Sequence, residues 1–423
     1  MMWMWMLWTG CDQEAQPKPK DSAIVADTAD TTPQQAPPEV SWHADIQPLL
    51  QRSCLGCHAE RGIAFSLESY DTAAALSAEL LDATSSGRMP PWPADEDSCL
   101  PLQGTRTLSA EHIALLERWV ALDAPEGNPE DAPDITEDTP ALETNLSLML
   151  PEPYTPGLDA PDDYRCFVLE PGLKSDTFVT GMQVIPGNSA IVHHVILYTD
   201  PDLNGAALDA EDETPGYTCF GGPGFDNTGV IGGWAPGQDA VTLPGGVGLR
   251  LAAGVPVVAQ VHYHPVNDPG APDQTTINLA TAPEVDTEGY LFPLAHQGID
   301  IPAGESNHVE TRTISFSYGL NARLWGGTPH MHLLGTSIRV SVTPPDATEE
   351  TCLISVPSWD FDYQNFYLFE EPFALENGST ITMECVYDNS QENPSQPNDP
   401  PVDVGWGDGT ADEMCLVFAL MSL

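Results

Sequence analysis

The chain has 423 residues, 63 acidic and 13 basic, so its net charge is −50. So few cations cannot neutralise a phosphate backbone, which excludes nucleic-acid binding. The acidic surface would attract cations or basic partners, although a saline habitat is the simpler explanation. With 41 prolines and 35 glycines the composition favours turn-rich β structure over long helices, and the length predicts two to four domains.

The N-terminal segment is apolar but too short to span a bilayer. Residues 1–10 are followed by Cys11, and Thr9-Gly10-Cys11 resembles the cleavage site of a lipoprotein signal. We therefore expect residues 1–11 to be a signal segment with a lipidated Cys11, or otherwise an ordinary signal remnant. Residues 12–39 are rich in Asp, Ala, Thr, Pro and Gln, which predicts a disordered acidic linker.

The next segment, residues 40–127, carries the motif Cys54-Leu55-Gly56-Cys57-His58. C-x-x-C-H is the attachment signature of a c-type haem, in which both thiols bond to the haem and His58 is the proximal iron ligand. Met89 stands beside two prolines and is the candidate distal ligand, with core packing as its alternative role. The alternative for the two cysteines is a thioredoxin-like redox pair, which needs no histidine.

A helix is predicted from about Ser109 to Leu122. Ser109 is a suitable N-cap, and Pro125 and Gly127 end the helix. Together with the haem motif, residues 40–127 resemble the small class I-type cytochrome c modules attached to bacterial redox enzymes. The resemblance implies a small all-α domain with one covalently bound haem c.

The rest of the chain is predicted to be β structure. Residues 128–160 are acidic and proline-rich, which is typical of a linker. Short apolar strands separated by Gly, Pro, Asp and Asn turns then continue to the end of the chain. They predict two antiparallel, jelly-roll-like β-sandwiches, residues 161–287 and 288–423. The predicted fold is therefore mainly β, with a small all-α domain in front.

Six of the 11 histidines fall in three pairs on strand-like segments. The pairs are His193 with His194, His262 with His264, and His330 with His332. Alternate side chains of a strand share one face, so His330 and His332 project together while Met331 points away. One isolated pair is as often exposed or hydrogen-bonded as metal-bound, but three pairs indicate a metal protein.

The first two pairs can form one site. His193 and His194 are neighbours, so they need a bulge or a strand end to bind the same metal. Gln260, His262 and His264 share one face of their strand. Either of these two histidines could complete a three-histidine site with the first pair.

Met414 lies in a strand-like run near the C-terminus and could join His330 and His332. A thioether sulfur is a soft ligand that selects Cu(I), whereas zinc and iron sites rarely use one. Two histidines with a methionine therefore indicate copper.

Four motifs follow each other as His-His, Gln-Val-His-Tyr, His-x-His and Asp-Glu-Met-Cys. In this order they resemble the copper type II, ascorbate-dependent monooxygenases over about residues 150–423. The resemblance implies two copper ions. The implied ligands of the electron-transfer copper are His193, His194 and His262, and those of the oxygen-binding copper are His330, His332 and Met414. It also places Gln260 beside the ligands rather than among them, and gives His264 no copper role.

The chain has nine cysteines, and those outside the haem motif are widely spaced, which fits disulfides in an oxidising compartment. The resemblance implies two pairings, Cys385 with Cys415 and Cys166 with Cys219. Cys99 and Cys352 then remain, and they could bridge the haem domain to the second sandwich.

Three positions depart from the peptide-amidating member of the family. Where that enzyme has an Arg, an Asn and a Tyr that contact the peptide, this chain has Thr328, Leu416 and Phe418. We therefore expect a small apolar or cationic substrate rather than a peptide ending in glycine.

The resemblance implies a copper monooxygenase that hydroxylates a C–H bond of a small organic substrate with O₂. A redox partner or a small reductant would deliver electrons, relayed by the fused haem. The expected location is the periplasm or cell surface, with membrane attachment only through Cys11. The alternatives are a copper- and haem-binding electron-transfer or copper-binding protein without oxygenation, and a structural surface lipoprotein.

Overall fold

The computed structural model describes residues 40–423, apart from 61–63, 96–97, 105, 134–141, 159, 161, 227, 266–267 and 269. The chain is mainly β, with 36% of residues in strands and 14% in helices, as the sequence predicts. The predicted signal segment, Cys11 and the linker 12–39 lie outside the described residues. No helix in the described part of the chain is long and apolar enough to cross a membrane.

Within that part the secondary structure runs as follows. The α-helices are α1 (Gln47–Ser53), α2 (Tyr70–Ala75), α3 (Ser77–Ser85), α4 (Ala110–Ala121) and α5 (Asn204–Glu211), with a π-turn at Trp42–Ile46 and a 3₁₀ turn at Pro129–Asp131. The first ten strands are β1 (Leu146–Met149), β2 (Asp163–Leu169), β3 (Thr177–Ile185), β4 (Val192–Thr199), β5 (Tyr217–Thr218), β6 (Val230–Trp234), β7 (Val241–Thr242), β8 (Val247–Leu251), β9 (Val257–Tyr263) and β10 (Thr276–Ala282). The others are β11 (Thr287–Ala295), β12 (Asp300–Ile301), β13 (His308–Ser315), β14 (Ala322–His330), β15 (Gly335–Thr343), β16 (Thr351–Val356), β17 (Tyr367–Leu375), β18 (Thr380–Tyr387), β19 (Val404–Gly405) and β20 (Leu416–Ser422).

Helices α1 to α4 surround a small apolar core within residues 40–127. Trp42 and Trp119 are buried there, with ring centroids 6.2 Å apart. Leu116 and Trp119 lie one turn apart on α4, so both face this core. Ser109 caps α4 by accepting a backbone N–H of its first turn at 3.2 Å, so the helix predicted here is confirmed. The assignment of this region as a cytochrome c-like domain stays a prediction.

Most strands join one large sheet in the order β1-β10-β3-β8-β11-β6-β4-β9-β2-β5. The apolar strand β9 lies between β4 and β2 and is buried along its whole length, as a strand covered on both faces requires. β20 extends the sheet by pairing with β11, and β14 and β17 follow on its other side. A separate four-stranded sheet contains β13, β18, β15 and β16.

Two large apolar cores lie in the β region. The first core includes Phe167, Val195, Leu197, Val261 and Leu279. The second core includes Ile338, Val340, Ile354, Met383 and Val417. Leu368 and Leu420 come from the C-terminal strands but are buried in the first core. Because β11 also pairs with both β8 and β20, the sheet runs through the boundary predicted near residue 287. The division into two sandwiches stays a prediction.

Part of the predicted linker 128–160 is ordered sheet. Residues 146–149 form β1, which pairs with β10, and Leu148, Leu150 and Tyr154 are buried in the first core. Alternate apolar side chains face the core, which accounts for the strand. The acidic, proline-rich composition around it conceals this pattern.

A short segment, residues 98–103, ties the helical region to the second core; we call it the strap. Cys99 forms a disulfide with Cys352, which confirms the suggested bridge. Leu102 makes a β-bridge with Phe369, and the next residue donates its N–H to a carbonyl of β17 at 2.7 Å. The strap therefore adds a short edge to β17.

The other two predicted disulfides are also confirmed. They are Cys166–Cys219 and Cys385–Cys415. Cys54 and Cys57 form no disulfide with each other or with any other described residue. The two motif cysteines are therefore free for another attachment.

Candidate metal centre

Three predicted ligands, His193, His194 and His262, meet on adjacent strands and form what we call the first cluster. His194 of β4 lies opposite His262 of β9, and the pairing register shifts just before His194. This bulge is the irregularity that two neighbouring histidines need in order to share a site. The ring centroids of His193 and His194 each lie 4.8 Å from that of His262. One nitrogen from each ring lies within 4.8 Å of the other two.

Two nitrogens of the first cluster lack a hydrogen bond. His193 Nε2 and His262 Nδ1 are buried and have no partner among the described residues. Burial lowers the pKa of all three imidazoles, so they remain neutral. A buried neutral imidazole with a free lone pair is a good metal ligand. The first cluster therefore fits a metal ion.

Asp162 orients the His262 ring through a hydrogen bond. Its Oδ1 accepts hydrogen bonds from His262 Nε2 at 3.0 Å and from His264 Nδ1 at 2.9 Å. With the proton on Nε2, His262 presents Nδ1, its unpartnered nitrogen, as the free lone pair. Tyr164 stacks on the His262 ring at 4.1 Å. The sequence pattern indicated neither Asp162 nor Tyr164. The resemblance gave His264 no copper role, and the structure places it on Asp162, which also holds His262.

His330 and His332 form the second cluster, with ring centroids 5.0 Å apart. His330 ends β14 and His332 lies beyond the strand end, so the prediction of one continuous strand is wrong here. Met331 nevertheless points into the second core, away from the two histidines. Their Nδ1 atoms donate to Gln364 Oε1 at 2.7 Å and to the carbonyl oxygen of Asp412 at 3.0 Å. Both bonds leave Nε2 as the free lone pair. Burial lowers the pKa of His330, and that of His332 to about 3.

Met414 is buried in the turn that precedes β20, so it lies just outside the strand that the sequence predicted for it. Glu413 attaches this turn to the second cluster. Its carboxyl group, whose pKa burial raises to about 8, accepts the backbone N–H groups of His332 at 2.9 Å, Leu334 at 2.6 Å and Met414 at 3.1 Å. The backbone of Met414 is thus fixed beside His332, while its sulfur as a ligand stays a prediction.

Gln260 is buried on β9, two residues before His262. Its Nε2 donates to the carbonyl oxygen of Cys219 at 2.8 Å, and Cys219 is bonded to Cys166 on the adjacent strand β2. Gln260 therefore secures the disulfide next to the first cluster, and this hydrogen bond does not go to a histidine.

The two clusters lie side by side although they are far apart in sequence. The ring centroids of His194 and His330 are 6.3 Å apart. The first cluster is carried by β4 and β9 beside the first core, and the second by the end of β14 beside the second core. The structure therefore brings all five predicted histidines into one centre.

A cavity of about 990 Å³ opens next to this centre. Its lining includes Cys54, Cys57, His58 and Met89 from the helical region and His193 from the first cluster. His58 Nδ1 donates to a backbone carbonyl at 2.9 Å, which leaves Nε2 as the free lone pair. Burial raises the pKa of the Cys54 thiol to about 12, whereas a redox pair needs a lowered pKa. The raised thiol pKa does not fit a dithiol redox pair, and the cavity has room for a larger group.

Two adjacent clusters of buried or half-buried imidazoles are suited to bind metal ions. Residues 306–421 match the family described as copper type II ascorbate-dependent monooxygenase, C-terminal domain. The matched segment contains the second cluster, Met414 and the Cys385–Cys415 disulfide. This domain supports a copper-dependent oxidoreductase, and the monooxygenase family implies O₂, a substrate and a reductant such as ascorbate.

Two solved structures show a weak likeness to the chain. The structure of the infectious bursal disease virus Gx strain is 11% identical in sequence, and the match covers 69% of this chain and 75% of the viral chain, with a TM-score of 0.18. The VP2 subviral particle of infectious bursal disease virus is 10% identical in sequence, and the match covers 66% of this chain and 80% of the viral chain, with a TM-score of 0.16. Scores this low carry no argument about the fold. No curated protein matches the chain.

Proposed function

We propose that the protein is a copper-dependent monooxygenase that hydroxylates a C–H bond of a small organic substrate with O₂. The observation that carries the proposal is the pair of adjacent imidazole clusters, the second of which lies inside the segment that matches the copper monooxygenase family. When bound, copper supplies one-electron redox chemistry and the site at which O₂ reacts.

The chain itself contributes the ligands and their orientation. The electron-transfer copper would be held by His193, His194 and His262, and the oxygen-binding copper by His330, His332 and Met414. The Asp162 carboxylate, the Gln364 amide and the Asp412 carbonyl each hold one ring nitrogen, which selects the tautomer of that imidazole. Burial keeps the imidazoles neutral, so no proton competes with the metal.

The cavity beside the clusters is assigned to one c-type haem. Cys54 and Cys57 would attach the haem, and His58 and Met89 would be the protein ligands of its iron. The haem would supply a one-electron carrier, reduced by a redox partner or by a small reductant such as ascorbate. Support for an electron relay comes from the cavity wall, which contains His193 of the first cluster and His264.

The sheet face beside His330 is apolar rather than cationic. In the antiparallel pair of β14 and β20, Thr328 lies opposite Phe418, and His330 lies opposite Leu416. Directly opposite residues share a face of the sheet, so these four side chains lie together. One hydroxyl and two apolar side chains offer no cationic partner to a peptide carboxylate. The proposed substrate is therefore a small apolar or cationic molecule, and the acidic surface favours an amine.

The proposed location is the periplasm or cell surface, with a lipid anchor at Cys11. The three disulfides support an oxidising compartment, because such bonds are rare in the cytosol. Globomycin-sensitive processing and radiolabelled palmitate at Cys11, abolished in Cys11→Ser, would test the anchor.

The first test is the metal and haem content of protein expressed in a periplasm. We expect one covalent haem and two copper ions per chain, and loss of one copper in His330→Ala. Zinc in place of copper would overturn the proposal. Substrate-dependent O₂ uptake, measured with an oxygen electrode on a panel of amines and apolar compounds, then separates a monooxygenase from an electron-transfer protein that binds the same groups.

A further inference from the structure

The cavity beside the first cluster gathers basic side chains, which are scarce in this chain. Its described lining contains three arginines and four carboxylic acids, whereas the whole chain has 13 basic and 63 acidic residues. The three arginines are Arg52, Arg88 and Arg106. The acidic surface as a whole repels a small anion, but the nearly balanced charge of this wall does not.

Arg106 packs on a residue of the β region in this wall. Its guanidinium carbon lies 5.8 Å from the ring centroid of Tyr363. The Arg106 side chain is 19% exposed, and its Nη2 donates to Asp239 Oδ2. A guanidinium has five N–H donors, in a fork that matches the two oxygens of a carboxylate. Most of the Arg106 donors are therefore not used by Asp239.

The hydroxyl of Tyr363 lacks a hydrogen bond. It is buried, in a residue that is only 4% exposed, and it has no partner among the described residues. Burial raises the pKa of Tyr363, so the hydroxyl stays a neutral donor. A buried donor without an acceptor costs free energy, and an acceptor that enters the wall beside Arg106 would remove that cost.

Tyr363 and the motif cysteine Cys57 lie against the same glycine. A Cβ on Gly237 would be 3.0 Å from Cys57 Sγ and 3.2 Å from a carbon of the Tyr363 ring. The two donors are therefore next to a proposed haem attachment thiol. In a c-type haem the thiols bond on the vinyl side of the porphyrin, and the propionates leave from the opposite side. A haem attached at Cys57 would thus direct its own carboxylates away from Tyr363.

We propose that Arg106 and Tyr363 form a binding site for a small free oxyanion with two neighbouring oxygens, such as a carboxylate or an ionised enediol. The guanidinium binds both oxygens, and the hydroxyl donates to one of them. Asp239, whose side chain is 74% exposed, competes for the same guanidinium. The inference rests on the proposed function and deepens it, because an acidic reductant held here lies in the wall of the haem cavity.

The first test measures anion binding by calorimetry, with benzoate as the probe and neutral benzamide as its matched control. We expect benzoate alone to bind. Its affinity should fall about 10-fold or more in Arg106→Gln, which removes charge-assisted hydrogen bonds, and about 3- to 10-fold in Tyr363→Phe, which removes a neutral one. Asp239→Asn should raise the affinity, because it removes the competing carboxylate.

Arg118→Gln is the control for net charge, since Arg118 is exposed on α4 and is not part of the described cavity lining. This variant should keep the wild-type affinity for benzoate. Circular dichroism checks that every variant is folded. A wild-type protein that does not bind benzoate, or a folded Arg106→Gln or Tyr363→Phe with unchanged affinity, would overturn the proposal.

The second test follows anaerobic reduction of the haem by ascorbate, an ionised enediol, in a stopped-flow instrument. The rate should saturate with ascorbate and be inhibited competitively by benzoate. In Arg106→Gln the half-saturating concentration should rise while the limiting rate is kept, and reduction by neutral hydroquinone should not change. A rate that stays linear in ascorbate, with a lowered haem midpoint potential in Arg106→Gln, would assign the site to a haem propionate and overturn the proposal.

The calorimetric test needs neither copper nor electron transfer. Benzoate binding that depends on Arg106 and Tyr363, in a protein that takes up no copper, would leave this site standing while the proposed function fails. One haem and two coppers per chain, with benzoate binding that depends on neither residue, would refute this site while the proposed function stands.

Discussion

Replacing Asp162 by Asn tests whether this carboxylate holds the first cluster. The Asp162 side chain is only 13% exposed, and it accepts hydrogen bonds from both His262 and His264. Asn keeps the shape and one acceptor oxygen but removes the charge. Loss of one charge-assisted hydrogen bond costs about 1.5–3 kcal/mol. At about 1.4 kcal/mol per decade, this weakens copper binding about 10- to 100-fold, the range known for partners of metal-bound histidines.

The assay is a competition titration of Cu(I) against a chelator of known affinity. We expect one of the two copper sites to weaken in Asp162→Asn while the other keeps its affinity. Asp176→Asn is the matched control, because its carboxylate pairs with Arg250 at the surface and not with a histidine. If both sites of Asp162→Asn stayed within about twofold of the wild type, which is under 0.5 kcal/mol, the carboxylate would not support the ligand His262.

Three further variants test the second cluster and the strap. Glu413→Ala leaves three buried backbone N–H groups without an acceptor, and each such group costs about 1–3 kcal/mol. The free energy of unfolding measured in urea should therefore fall by about 3 kcal/mol or more. The control Glu384→Ala, at an exposed residue, should change the free energy of unfolding by less than about 0.5 kcal/mol. Met414→Ala should weaken Cu(I) binding more than Cu(II) binding at one site, because the thioether is a soft ligand, and an equal loss of both would argue against that ligand. Joint replacement of Cys99 and Cys352 by Ser should lower the free energy of unfolding by about 2–5 kcal/mol, and an unchanged urea midpoint would contradict a stabilising strap.

The five clustered histidines could be identified from the sequence because their residue type and spacing form pairs on strand-like segments. His330 and His332 flank a methionine that belongs to the core, and this alternation is local. The adjacent pair His193 and His194 required a bulge, and the register shift in β4 supplies it. Such features depend on neighbours in the chain, so a sequence pattern is enough to find them.

The residues that support the ligands could not be predicted in this way. Asp162 is one of 63 acidic residues, and its role depends on contact with His262, which is 100 positions away. Phe361 and Gln364 lie in a loop without periodicity, and their partners are on β4 and β14. The pairing of β20 with β11 is likewise set by which apolar faces meet in three dimensions, and a strand pattern specifies a face but not its partner.

The cavity that we assign to haem is not a property of the helical region alone. Arg106, just beyond the strap, is ion-paired with Asp239 of the β region and lies 5.8 Å from the Tyr363 ring centroid. Asp239 and Tyr363 line the cavity together with His193, so part of its wall comes from the strands and loops that hold the clusters. A cavity built from both regions is complete only when the helical region is docked. The strap and its disulfide hold the helical region against the β region, and both regions supply walls of this cavity.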